Sequence, residues 1–144
     1  MKTVLHSMLG TITFLMVLLF LGTSLATQFF YSQEDILQTK ILILESMPYF
    51  LITLVSAGIL GLFLSRGRVE VVIADKKKRM LFILLICTLM LWPLAYFLDQ
   101  FARNHSFNLA YDAMQSTEYG LDLIILTLLG LNFRDGAKLV AHEA

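Results

Sequence analysis

The 144 residues contain one cysteine, two prolines and one tryptophan, and the cysteine count is already informative. A lone Cys87 cannot close an intramolecular disulfide, and it excludes a cysteine-only metal site within one chain. Its setting, LLICTLML, marks it as apolar filler in a buried helix. Charge is scarce as well: 15% of residues are charged and the formal net charge is zero. Neither a strong attraction to nucleic acid nor an acidic disordered tail is expected from that balance. The sequence also has no phosphate-binding glycine loop, nucleophile elbow or zinc-protease helix, and no internal repeat or dividing linker.

What the chain does have is apolar length. Hydrophobic residues make up 58% of it and the mean hydropathy is +0.75, too apolar for an ordinary soluble domain. A helix needs roughly 20 apolar residues to cross the hydrocarbon, where only internal hydrogen bonds can satisfy the backbone. Stretches near 5–27, 41–64, 80–98 and 112–133 meet this description. In the last, the apolar core covers only 119–133, so the helix must begin earlier, near Asn108, or lie partly in the interface. The expectation is an all-α integral membrane protein: one domain over 1–144, folded as a compact antiparallel four-transmembrane-helix bundle. The first stretch has Lys2 near its start and small residues at Ser24 and Ala26, as a cleaved signal peptide would. Its apolar run is longer than a typical signal core, and a retained helix is expected.

Basic residues gather in cytoplasmic loops. Lys2, Arg66, Arg68, Lys76, Lys77, Lys78, Arg79, Arg134 and Lys138 fall on one side, and only Lys40 and Arg103 on the other. Nine against two places both termini in the cytoplasm of a bacterial-style inner membrane. The same sorting sends Glu34, Asp35, Glu45, Asp99, Asp112, Glu118 and Asp122 to the outer side. The run Lys76–Arg79 reads first as the topology signal and second as a site for anionic headgroups. Just before it, RGRVEVVIAD carries the β-prone Val69, Val71, Val72 and Ile73, which suit a short strand or a surface segment. Pro48 and Pro93 are expected near the outer ends of the second and third helices, as bends or helix ends. The small-residue pairs Gly22 with Ala26, and Ala57 with Gly61, offer close helix packing.

Helical spacing collects the candidate site. Trp92, Tyr96, Asp99 and Arg103 share one face of the third helix. Glu45 and Tyr49 share a stripe with Ile52 and Ser56 on the second, and Gln115 lies on a face with Glu118 and Asp122 on the fourth. Glu45, Tyr49, Trp92, Tyr96, Asp99, Arg103, Glu118 and Asp122 are therefore expected to form a polar vestibule at the outer end. Asp122 lies within the apolar stretch YGLDLIILTLLGL, where an ionisable group faces the bundle interior or a wet cavity. Its expected partner is Arg103 or Tyr96, with Asp99 the more hydrated acid. Such a cluster suits a proton or cation path through Asp122, Glu118 and Glu45, or a small-molecule pocket walled by Trp92, Tyr96 and Tyr49. Carboxylates with His105 could also hold a metal, although no dense ligand spacing is present. The structural alternative is an interhelical clamp with interfacial aromatic anchors.

His6 is the one histidine within an apolar stretch. With Lys2 and Gly10 it stands at i, i+4 and i+8, and this spacing resembles the first helix of small bacterial four-helix membrane families that include copper-resistance and haem-pathway proteins. The likeness covers one helix and three residues, and it assigns no family. His6 is a candidate haem or metal ligand, but no second intramembrane histidine accompanies it, so a bis-histidine haem within one chain is not expected. No cofactor is required by the sequence, although haem or quinone would be compatible with it. The function expected is a non-enzymatic membrane binding protein. It would be an accessory subunit or inhibitor of another membrane protein, including immunity to a membrane-active toxin, or would self-associate. Haem- or quinone-linked redox activity and proton or cation conduction are the alternatives.

Overall fold

Ser32 makes the first corner of the molecule. Its hydroxyl accepts from the Asp35 backbone N–H, while the Asp35 carboxylate accepts from the Ser32 backbone, a reciprocal cap that starts a helix at Gln33. The computed structural model describes residues 1–66 and 71–143, with side chains as far as 138. Helix α1 runs Lys2–Phe30 and α2 runs Gln33–Leu64. Helix α3, Val71–Ile86, continues through a π-helical turn, Cys87–Leu91, into α4, Trp92–Arg103. Helix α5 occupies Leu109–Glu143. Taking α3, the π turn and α4 as one rod, the described residues form four helices and no strand.

Three of these helices, Lys2–Phe30, Gln33–Leu64 and Val71–Arg103, are long and apolar enough to cross a membrane. Helix α5 is not among them, since Glu118, Asp122 and Asn132 interrupt its apolar run. The surface supports the membrane assignment. Leu15, Leu19, Ile52, Ile59, Phe82 and Leu89 are exposed, while Lys40, Asp99, Glu118 and Asp122 are buried. A protein with apolar groups outside and charges within is built for a solvent that cannot hydrate charge.

Residues of all four helices meet in one apolar cluster, with Val17 and Phe20, Met47 and Phe50, Ile83 and Leu91, and Ile125 and Leu129 among its members. In lipid the hydrophobic effect gives little net drive for such contacts, so dispersion and polar pairs must hold them. Helices α1 and α2 meet in opposite sequence order. His6 reaches Ala57, Thr13 reaches Thr53, Phe20 stacks edge-on against Phe50 with ring centres 5.8 Å apart, and Ser24 reaches Lys40. Gly61 leaves room for His6: a Cβ there would lie 3.1 Å from the imidazole. Gly22, by contrast, faces open space, so the Gly22 and Ala26 pair does not make the close helix contact that its spacing offers.

Several expectations are corrected here. Val71, Val72 and Ile73 are helical, because β-branching costs a helix only tenths of a kcal/mol and the helix continues into the basic run; Val69 lies outside the described residues. Pro48 is inside α2 rather than at an end, about four turns from Gln33. Pro93 stands just after the π turn, whose closing bond runs from the Trp92 N–H to the Cys87 carbonyl. The wider turn moves the upstream carbonyls away from a ring that would clash with an α-helical neighbour, and the helix continues. The third helix ends in a reversal in which His105 adopts φ 49°. The His105 N–H donates to the Ala102 carbonyl and Ser106 to that of Phe101, the bonding of a Schellman stop.

Candidate functional site

Along α5 the buried residues recur at Tyr111, Gln115, Glu118, Asp122, Ile125 and Leu129, a stripe facing the other helices. Its first two-thirds is polar and its last third apolar. Opposite it, α2 presents Ile36, Lys40, Ile43 and Met47 as a buried stripe, and α1 contributes Ser24. These three helices close on a single ion pair. The Lys40 ammonium donates to Glu118 Oε2 at 2.5 Å, with both side chains 2% exposed. Lys40 also donates to Ser24 Oγ at 3.0 Å, and Gln115 Nε2 donates to the same Glu118 oxygen at 2.5 Å. The Tyr111 hydroxyl lies 3.3 Å from Gln115 Oε1 and 3.4 Å from Gln28 Oε1, and the Tyr119 hydroxyl donates to the Ser24 carbonyl at 3.4 Å. A buried charge pair is tolerable only when further hydrogen bonds use its remaining capacity; here Ser24 and Gln115 supply them.

One turn along α5 from Glu118, Asp122 is 1% exposed. Neither carboxylate oxygen has a hydrogen-bond partner among the described residues. Glu118 and Lys40 are the charged groups near enough to act on it, and the Cys87 thiol of the π turn is within the same range. The expected coupling of Asp122 to Arg103 or Tyr96 is absent from these interactions: Arg103 Nε instead donates to Asp99 Oδ2 at 2.8 Å, one turn away on the same helix. Asp99 is not the hydrated acid either. It is 1% exposed, and its Oδ1 lacks a partner, because α4 turns it inward beside Leu98 and Ala102.

The eight expected vestibule residues thus fall into separate sets. Glu118 and Asp122 join the buried network centred on Lys40. Asp99 and Arg103 form a pair on α4, close enough to Glu45 of α2 for its charge to act on Arg103. Tyr49, Trp92 and Tyr96 are exposed, Tyr49 to 69%. His6 is half-buried, with Nδ1 2.9 Å from the Ala57 carbonyl oxygen, which gives it a packing role between α1 and α2. His105 is exposed at the helix stop. Among the described residues no three His, Cys, Asp or Glu side chains are grouped to hold a metal ion.

Hydropathy alone does not find Lys40, because it lies just outside the apolar stretch 41–64 and reads as a loop residue. The Ser32 and Asp35 capping pair was the available signal: it starts α2 at Gln33 and puts Lys40 in register with Ile36, Ile43 and Met47. At the other end of the molecule a second clasp joins α3 to α5. Arg79 donates to Asp135 Oδ2 at 2.6 Å and to Asn132 Oδ1 at 3.1 Å, and Arg134 reaches Asp135 Oδ1 at 3.3 Å. The Arg79 guanidinium holds the Asp135 carboxyl below the usual carboxylate range. Part of the basic run therefore ties helices together as well as carrying charge.

No protein-family model matches the chain, and neither a curated protein nor a solved structure does.

Proposed function

We propose that the protein is a small integral membrane interaction protein, an accessory subunit or inhibitor of another membrane protein, a class that includes immunity to a membrane-active toxin. In this reading α5 crosses with the other three helices as a compact antiparallel four-helix bundle in the cytoplasmic membrane, with both termini in the cytoplasm. The observation that carries it is the division of polar and aromatic groups. Lys40, Glu118 and Ser24 are engaged with one another inside, whereas Tyr49, Trp92 and Tyr96 face outward with Arg103. Chemistry that is spent on holding helices together is unavailable to a substrate, and the outward aromatic and charged groups are the kind enriched where proteins recognise each other.

A photo-crosslinking residue placed at Tyr49 or Tyr96 in native membranes tests this. A discrete adduct with a membrane protein, or with a second copy of the chain, is expected at both positions and not at the buried Ile125. Adducts with lipid alone at both outward positions would defeat the reading.

A further inference from the structure

The Lys40 and Glu118 pair is close to electrically complete, which makes Asp122 the unbalanced member of the buried network. The ammonium already serves Glu118 and Ser24, and the Glu118 oxygen it meets also takes Gln115. An ionised Asp122 would add a second carboxylate against one ammonium, about 6 Å further along α5 by helical rise. Both of its oxygens lack a donor among the described residues. The titratable groups near enough for their charges to interact with it are Lys40 of α2, Glu118 of its own helix and Cys87 of the π turn; the polar groups that α1 brings to the network, Ser24 and Gln28, are uncharged. A buried charge with no hydrogen bond costs several kcal/mol, whereas the neutral acid loses much less on leaving water.

A metal ion answers this imbalance poorly. Hard cations such as calcium and magnesium take about six or more oxygen ligands. The neighbours of Asp122 include an ammonium and a thiol, and the described residues hold no cluster of metal-ligating groups.

We infer that Asp122 is an intramembrane proton-binding site, a carboxylic acid that carries its proton beside the buried Lys40–Glu118 pair. The inference is independent of the accessory role proposed above. It makes the buried network neutral as a whole, with one ammonium, one carboxylate and one acid. The bound proton becomes the part of the interior that responds to pH.

The test is infrared spectroscopy of the purified full-length protein in lipid nanodiscs, combined with labelling by a hydrophobic carbodiimide, which attacks protonated carboxyl groups. At neutral pH a carboxylic-acid carbonyl band is expected that Asp122→Asn removes and that Asp99→Asn leaves in place; Glu118→Gln, which takes away the carboxylate that answers Lys40, is expected to weaken the band as Asp122 ionises in its stead. Mass spectrometry is expected to find the carbodiimide on Asp122. Its labelling rate should fall as pH rises, about tenfold per pH unit once the midpoint is passed. If Asp122→Asn fails to fold, Asp122→Glu serves in its place, and a displaced acid band is then expected. No acid band at neutral pH, or one that survives Asp122→Asn, would overturn the proposal. So would labelling that sodium or lithium suppresses at constant pH, since that would make Asp122 a cation ligand.

Discussion

Lys40 shows how much one residue can carry when its surroundings exclude water. Among the described residues Glu118 has no other cation within hydrogen-bonding distance, so removing the ammonium leaves a buried carboxylate with only Ser24 and Gln115. Lys40→Met is expected to destabilise the protein by about 3 to 5 kcal/mol. Glu118→Leu should cost less, because Asp122 can release its proton and answer the ammonium. The double variant is expected to recover much of the loss, because both charges leave together. Unfolding titrations in mixed micelles would measure all three, and strictly additive losses would show that the two residues do not form a working pair. At the same scale, Asp122 was legible from its place in an apolar run. Its lack of a partner was not, because that depends on where Arg103 points, and Arg103 turns back to Asp99 within one helix.

At the scale of elements, most helices were readable and their ends were not. Apolar length identified α1, α2 and the third helix, but hydropathy dims wherever a helix begins with polar residues. Helix α2 starts with Gln33, Glu34 and Asp35, so its first two turns read as a loop and took Lys40 with them. The π turn was likewise hidden: Pro93 announced a disturbance, yet the backbone alone chose a wider turn over a break. The clasp between α3 and α5 yields a pH prediction. Because the folded Asp135 carboxyl lies below its ordinary value, its stabilisation is complete above the unfolded pKa of about 3.9 and is lost as pH falls through the lower folded one. The stability difference between wild type and Asp135→Asn should stay constant from about pH 7 to about pH 5 and shrink below about pH 4. Thermal unfolding in detergent across that range would check it. A difference that grows on acidification would contradict the ion-pair account.

At the scale of the whole molecule, burial of Lys40 sharpens the orientation argument. A lysine enclosed between helices is not a loop charge, so in the proposed topology the basic residues weigh nine on one side against Arg103 alone on the other. Cytoplasmic reporters fused after Lys78 and at Ala144 should both be active, and periplasmic reporters at the same places silent. A periplasmic signal at Ala144 beside a cytoplasmic one after Lys78 would rule out the even number of crossings that the proposed bundle requires.

Composition and apolar runs, which are local in the chain, were enough for the helical class and for three of the four expected membrane-length helices. An acid amid leucines and isoleucines is conspicuous wherever the helix ends up, which singled out Asp122, and helical spacing added Glu118 on the same face. Packing, by contrast, sets Glu118 against Lys40, leaves the Asp122 oxygens without a hydrogen-bond donor among the described residues, buries Asp99, and turns Tyr49 and Tyr96 outward. Lys40 and Glu118 stand far apart in the chain, and the pair exists through the packing of α1, α2 and α5 together. In a medium where a charge is stable only beside its partner, the choice of partner belongs to the packing, and local sequence does not encode it.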